Sequence, residues 1–330
     1  MKNLSSDDYV QGVLAGDRVL LARTITLVES NARRHFELAQ QVLTQLLPHT
    51  GGSIRVGITG VPGAGKSTFI ETLGLKLTQL GHRIAVLAVD PTSSISRGSI
   101  LGDKTRMEML TREKNAFVRP SPTGGMLGGV ARKTRESMLV CEAAGYDVIL
   151  VETVGTGQSE ITVRSMVDFF LLLLVPGAGD ELQGIKKGVV EIADAILINK
   201  ADGENKVRAK AARTEYNRAL HYLTPATEGW RPRAYTGSAL DGTGIDKIWS
   251  VIETFQEKMT EAGTLQARRE AQMQAWLHTV IVEQLKQNFY DHSAVQAALP
   301  GLETAVRQGT LPPTAAALQL LQIYKTTPEK

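Results

Sequence analysis

Nine residues constrain this chain more than any others: Gly60-Val61-Pro62-Gly63-Ala64-Gly65-Lys66-Ser67-Thr68. They fit G-x-x-x-x-G-K-[ST]. The run before them, 54–59, reads as a buried strand. The run after them, 66–80, carries Phe69, Ile70, Leu73, Leu77 and Leu80 at helical spacing. Strand, glycine loop and helix together form the setting that gives the pattern meaning, whereas a glycine-rich turn with a chance lysine would lack it. Gly60, Gly63 and Gly65 have no Cβ, so the backbone can wrap closely around a phosphate. Its N–H groups and the helix N-terminus then face the anion. In this arrangement Lys66 reaches the β- and γ-phosphates and the Ser67 hydroxyl ligates Mg2+. Position 61 is Val, which excludes the second-lysine variant of some two-subunit ATPases.

A base reader lies downstream. The apolar run 195–198 ends in Asn199-Lys200-Ala201-Asp202. A carboxylate there can accept from guanine N1–H and from the 2-amino group. Adenine offers an acceptor at N1 and no 2-amino group, so Asp202 would hold guanine and repel adenine. Each such charge-assisted bond is worth about 1.5–3 kcal/mol. Lys200 can lay its stem along the base, and Asn199 can tie loops together. Ser238-Ala239-Leu240 follows the next strand-like run, 233–236, where backbone N–H groups can reach the same base. A polar strand end with no ligand would look similar to either segment taken alone.

Two further strand-like runs end in acids. Residues 83–89 lead to Asp90 and 147–151 lead to Glu152. Carboxylates at the carboxyl ends of parallel strands lie beside the phosphate site in doubly wound folds, and Mg2+ takes oxygen ligands. Asp90 and Glu152 are therefore metal candidates, with Asp103 in the polar loop 91–104 as the third acid. Arg106 is a candidate for neutralising transition-state charge. Gln158, in Gly155-Thr156-Gly157-Gln158, is a candidate for orienting the attacking water. Lys186 and Lys187, in the loop 176–188, can sense nucleotide or partner; ordinary solvated loops would carry the same residues.

The formal net charge of +3 is too small to argue for nucleic acid, and basic residues are interspersed with acids. The single cysteine, Cys141, cannot form an internal disulfide and suits a reducing compartment. No apolar run reaches membrane-spanning length, the N-terminus is acidic and polar rather than signal-like, and no His/Cys spacing resembles a zinc site. The expectation is a cytoplasmic protein with no membrane and no nucleic-acid partner.

The expected fold is α/β. A helical segment, 1–52, precedes a domain of alternating strands and helices, 53–262, which predicts a mainly parallel sheet covered on both faces. A helical tail, 263–330, follows. Its first helix, 265–290, carries Met273, Trp276, Leu277, Val280, Ile281 and Leu285, a face that needs a partner. The tail can pack on its own core or serve as an exchanged dimerisation arm, and the arm is the expectation, with Pro300-Gly301 and Pro312-Pro313 punctuating two shorter helices.

The phosphate loop, VDP at 89–91, SILGDKTRM at 99–107, VILVETVGTGQSE at 148–160, LQGIKKG at 182–188 and NKAD together resemble the MeaB/ArgK-type P-loop GTPases. The likeness spans about 53–262. It implies a G-protein-like fold and a homodimer. It also implies a GTP-hydrolysing chaperone that binds adenosylcobalamin-dependent methylmalonyl-CoA mutase, or a related acyl-CoA mutase. Such a chaperone protects the mutase and gates cofactor loading or exchange. By resemblance Lys66, Ser67, Asp90, Asp103 and Glu152 form the phosphate and Mg2+ site, and 99–107, 155–160 and 177–188 are switches. Two other readings compete. A nickel-delivery GTPase would call for a His-rich or Cys/His collecting segment. A transport-linked kinase would call for a phosphoacceptor site and no base-reading NKxD.

Overall fold

The computed structural model describes residues 4–89, 107–120, 127–153, 159–177 and 187–327. The chain forms two compact units, Met1–Gln272 and Met273–Lys330.

The first unit is built on a seven-stranded, fully parallel sheet. Its strands are β1 (Ile54–Gly60), β2 (Ile84–Val89), β3 (Ala116–Arg119), β4 (Val148–Thr153), β5 (Phe169–Leu174), β6 (Ala195–Ile198) and β7 (Arg233–Thr236), in the order β3-β2-β4-β1-β5-β6-β7. Parallel strands covered on both faces have no polar side, which is why β1 and β5 are buried at every position. β4 divides its side chains by the strand period of two. Val148 and Leu150 enter the core on one face, and Ile149 and Val151 the core on the other.

One face packs against α4 (Lys66–Gln79) through Phe69, Ile70, Leu73 and Leu77. The same face carries α10 (Ile245–Glu261), whose Ile248, Ile252 and Phe255 are buried at helical spacing. The opposite face is covered by α1 (Ser6–Leu14), α2 (Arg18–Val28), α3 (Arg33–Leu46) and α6 (Leu127–Ala143). Val13, Leu21, Ile25, Val42 and Leu46 join the sheet residues Leu87, Ile149 and Phe170 in one core. The N-terminal helices thus supply the layer that closes that face. The remaining helices of this unit are α5 (Glu108–Arg112), α7 (Ser159–Arg164), α8 (Lys187–Glu191), α9 (Asn205–His221) and the first turns of α11 (Thr264–Asp291).

The topology places a crevice. From β1 the chain crosses to β2, on the β4 side; from β4 it crosses to β5, on the other side. Where neighbouring strands send their connections in opposite directions, the carboxyl ends leave a gap that suits a ligand.

At the amino ends of the strands, buried ion pairs hold the unit together. Arg55 meets Glu142 through two bonds of 2.7 and 2.9 Å. Asp168 meets Arg269 at the start of α11 at 2.8 and 2.5 Å.

The second unit contains the rest of α11, α12 (Ser293–Arg307) and α13 (Pro313–Thr326). Pro300 was expected to punctuate the tail, but α12 runs through it. The proline forfeits one helical hydrogen bond, at a cost of about 3 kcal/mol. Packing outweighs it: Val295 on α12 and Ala316 and Leu320 on α13 are buried in the helix pair. His292 closes the unit, with Nε2 lying 2.9 Å from the Thr327 carbonyl and the ring 5.2 Å from that of Tyr324.

Candidate nucleotide site

The phosphate loop spans the end of β1 and the start of α4. Its shape needs glycine. Gly63 and Gly65 have φ of 80° and 88°, the left-handed region. A Cβ on Gly65 would stand 2.6 Å from Asn199 Nδ2, so both the backbone angle and the neighbour exclude a side chain. Lys66, 8% exposed, donates to the carbonyls of Gly60 at 2.8 Å and Val61 at 3.3 Å. Its ammonium therefore lies inside the curl of the loop. One turn of chemistry away, Ser67 Oγ donates to Glu152 Oε1 over 3.0 Å. The β1–β4 register explains that meeting, since Glu152 pairs with Ile58, two residues before Gly60. A hydroxyl and a carboxylate oxygen so placed are the hard donors that Mg2+ accepts.

The base-side segment leaves β6 in the same direction. Lys200 has φ of 56°, the one positive value outside glycine among the described residues. A left-handed lysine costs about 1–2 kcal/mol. Before that turn the Asn199 N–H donates to the Leu174 carbonyl at 2.7 Å, and after it the Ala201 N–H donates to the Gly237 carbonyl at 3.0 Å. Asn199, 1% exposed, donates Nδ2 to the Ala64 carbonyl at 2.8 Å and accepts the Ala239 N–H on Oδ1 at 2.9 Å. One amide thus joins three loops. Ser238 Oγ donates to Asp202 Oδ2 over 2.6 Å and fixes the plane of that carboxylate. Leu240 is 82% exposed at the rim.

Sequence reasoning missed several residues here. Thr72 on α4 donates to the Ala239 carbonyl at 2.6 Å, so the phosphate-loop helix also supports the base-side loop, and Lys76 pairs with Asp246 on α10 at 2.6 Å. Thr153 donates to Thr59 at 2.8 Å, and Thr59 donates to Glu160 at 3.4 Å beneath the loop. Threonines inside a helix (Thr72) or a strand (Thr59, Thr153) carry no motif, and only what lies opposite them in the fold gives them away. Asp241, fully exposed, is held below the ordinary carboxylate range by the Thr243 backbone N–H and hydroxyl.

Of the residues picked from sequence, Gly60 to Thr68, Glu152, Asn199 to Asp202 and Ser238 to Leu240 gather around the carboxyl ends of β1, β4, β6 and β7. Asp90, Asp103, Arg106, Gln158 and Lys186 lie outside the described residues, as do most of the three expected switch segments. Among the described residues no group of three His, Cys, Asp or Glu could hold a metal ion, and no helix is long and apolar enough to cross a membrane.

The family model described as Methylmalonyl Co-A mutase-associated GTPase MeaB matches residues 21–294. The chain belongs to the MeaB family of GTPases. The match begins inside α2, so this family's characteristic sequence includes the helical layer as well as the sheet. The chain is 47% identical to GTPase ArgK of Escherichia coli, over 97% of this chain and 96% of that one. It is also 47% identical to the mouse methylmalonic aciduria type A homolog, mitochondrial, over 97% of this chain and 80% of that one. A crystal structure named LAO/AO transport system kinase aligns with a TM-score of 0.77 at 39% identity, covering 99% of both chains. The MeaB-family fold here is that of the P-loop GTPases.

Proposed function

We propose that this chain is a Mg2+-dependent GTP hydrolase and a chaperone of adenosylcobalamin-dependent methylmalonyl-CoA mutase or a related acyl-CoA mutase. It binds the mutase, protects it, and gates loading or exchange of the cobalamin cofactor through its nucleotide state. One observation carries the nucleotide half: the Asn199 amide that bonds to both Ala64 and Ala239. Through it, phosphate recognition and base recognition share one rigid frame. The family description, mutase-associated GTPase, supports the partner half.

The roles follow from the chemistry of the side chains. Backbone N–H groups of 63–68, at the loop and the start of α4, receive the phosphates, and Lys66 exchanges its loop carbonyls for phosphate oxygens. Asp202, oriented by Ser238, accepts from guanine. Ser67 and Glu152 would hold Mg2+, joined by Asp90 and Asp103; the bound ion neutralises phosphate charge. Gln158 orients water, Arg106 offsets developing negative charge, and Lys186 reports the nucleotide state to the partner.

Homodimerisation is part of the proposal. Leu277, Ile281 and Leu285 recur every four residues along α11 and are 59%, 45% and 59% exposed in the single chain. Such an apolar line is covered by a second copy, and light scattering showing a monomer at micromolar concentration contradicts it. Cys141, buried and unpaired, fits the reducing cytoplasm.

Phosphate release tests the enzymatic core. Wild type should turn over GTP in preference to ATP and stop when Mg2+ is chelated. Glu152→Gln should lose at least about tenfold in turnover while keeping GDP affinity. Mg2+-independent turnover, or an unaltered rate in Glu152→Gln, rejects the assignment.

A further inference from the structure

Basic residues are interspersed with acids along most of the chain, but one segment at a sheet edge carries a local excess of positive charge. Residues 205–235 hold seven arginines and lysines against two glutamates, while the whole chain stands at +3. The rest of the molecule is therefore acidic on balance. On this edge α9 packs along β7, the last strand of the sheet, and a cavity of about 580 Å3 opens between them. Arg213, Arg231, Arg233 and His221 line it, and no carboxylate does. Among the described residues none of the three arginines forms an ion pair. Leu220 and Tyr235 supply an apolar wall.

The strand itself is closed to pairing. Asn217 on α9 accepts the Ala234 N–H at 3.0 Å and donates to the Ala234 carbonyl at 3.1 Å. Both backbone groups that an added strand would need at Ala234 are taken, so an extended chain cannot join the sheet there. What enters the cavity does so with compact chemistry. Guanidinium groups are planar, permanently charged and suited to phosphate or carboxylate forks. Three of them line the cavity with no carboxylate among its walls, and a bound anion would supply the missing counter-charge. The volume lies within the roughly 300–1,000 Å3 of small-ligand sites.

We propose that this cavity is a second ligand site, separate from the nucleotide crevice, for a small anion with a phosphate or carboxylate head on an apolar body. Its test uses the full-length protein saturated with GDP, so that the nucleotide crevice is filled. Anilinonaphthalene sulfonate, an anionic head on an apolar body, is the fluorescent probe and pyrophosphate the competitor. Saturable probe binding should be displaced by pyrophosphate. It should weaken at least about tenfold in Arg231→Gln/Arg233→Gln, the equivalent of one charge-assisted hydrogen bond, and again in Arg213→Gln. Arg231 and Arg233 are exposed, so circular dichroism and GDP affinity should not change in the double variant. Probe binding that ignores pyrophosphate or these substitutions overturns the proposal. Arginine-dependent binding of poly-glutamate without saturable probe binding also overturns it, because that result assigns the surface to an acidic protein.

Discussion

Asn199 Nδ2 donates to the carbonyl of Ala64 over 2.8 Å, joining the base-side loop to the phosphate loop across 135 positions of sequence. The bond is buried, and its sister bond from Ala239 N–H to Oδ1 is buried as well. Asn199→Ala leaves both backbone groups without that partner, at about 1–3 kcal/mol each. GDP affinity should fall about ten- to a hundredfold, with the preference for GDP over ADP retained. Calorimetric titration measures both, and wild-type affinity in the variant would show that the two loops hold their places independently.

Asp202 should set the choice of base rather than the frame. Asp202→Asn keeps an oxygen that accepts N1–H, presents an amide N–H that can donate to the C2 oxygen of xanthine, and loses the acceptor for the guanine 2-amino group. The preferred nucleotide should change from GTP to xanthosine triphosphate. Ser238→Ala removes the 2.6 Å bond that orients the carboxylate, and should cost about three- to tenfold in GTP affinity without that change of preference. Competition binding with GTP, ATP and xanthosine triphosphate separates the two effects; equal binding of ATP and GTP by wild type rules out Asp202 as the base reader.

Glu142 provides a pH-dependent stability test at the opposite end of the sheet. Burial raises its pKa, but the hydrogen bonds and charge of Arg55, with the Ser53 hydroxyl and the Gly51 N–H, outweigh burial and hold it below the ordinary value of 4.5. A group with a depressed folded-state pKa contributes its full stability above the unfolded value. That contribution is lost as pH falls through the folded one. Glu142→Gln leaves the Arg55 charge buried and uncompensated, which costs about 3–5 kcal/mol at neutral pH. Thermal unfolding of both proteins from pH 7 to pH 3 should show a gap in Tm that narrows only in the acid range. A gap of constant size across the range would contradict the assignment.

Much of the fold is legible in the sequence because its signals are local. The fully apolar FFLLLL of β5 and the AILI of β6 admit only buried strands, and 66–80 has one apolar face. β3 is different. Its four residues, AFVR, end in the charged Arg119, and their strand state comes from pairing with β2. Pro300 reads as a break because its cost is local, whereas the packing that offsets it comes from α13. The site divides in the same way. Lys66, Ser67 and Asp202 are visible because their chemistry demands fixed spacing. Thr72 and Thr59 are not, because what they do depends on which strand or loop lies opposite.

The link between nucleotide state and the mutase is the central claim, and linkage makes it measurable. If the GTP and GDP forms bind methylmalonyl-CoA mutase with different affinity, the mutase must alter the relative affinity for GTP and GDP by the same factor. The direct measurement is GTPase rate and nucleotide affinity of the full-length protein, with and without the purified cognate mutase. The complex should differ in stability between GTP and GDP, nucleotide affinity should shift to match, and hydrolysis should be faster in the presence of mutase. A mutase that neither binds nor changes either quantity contradicts the chaperone role.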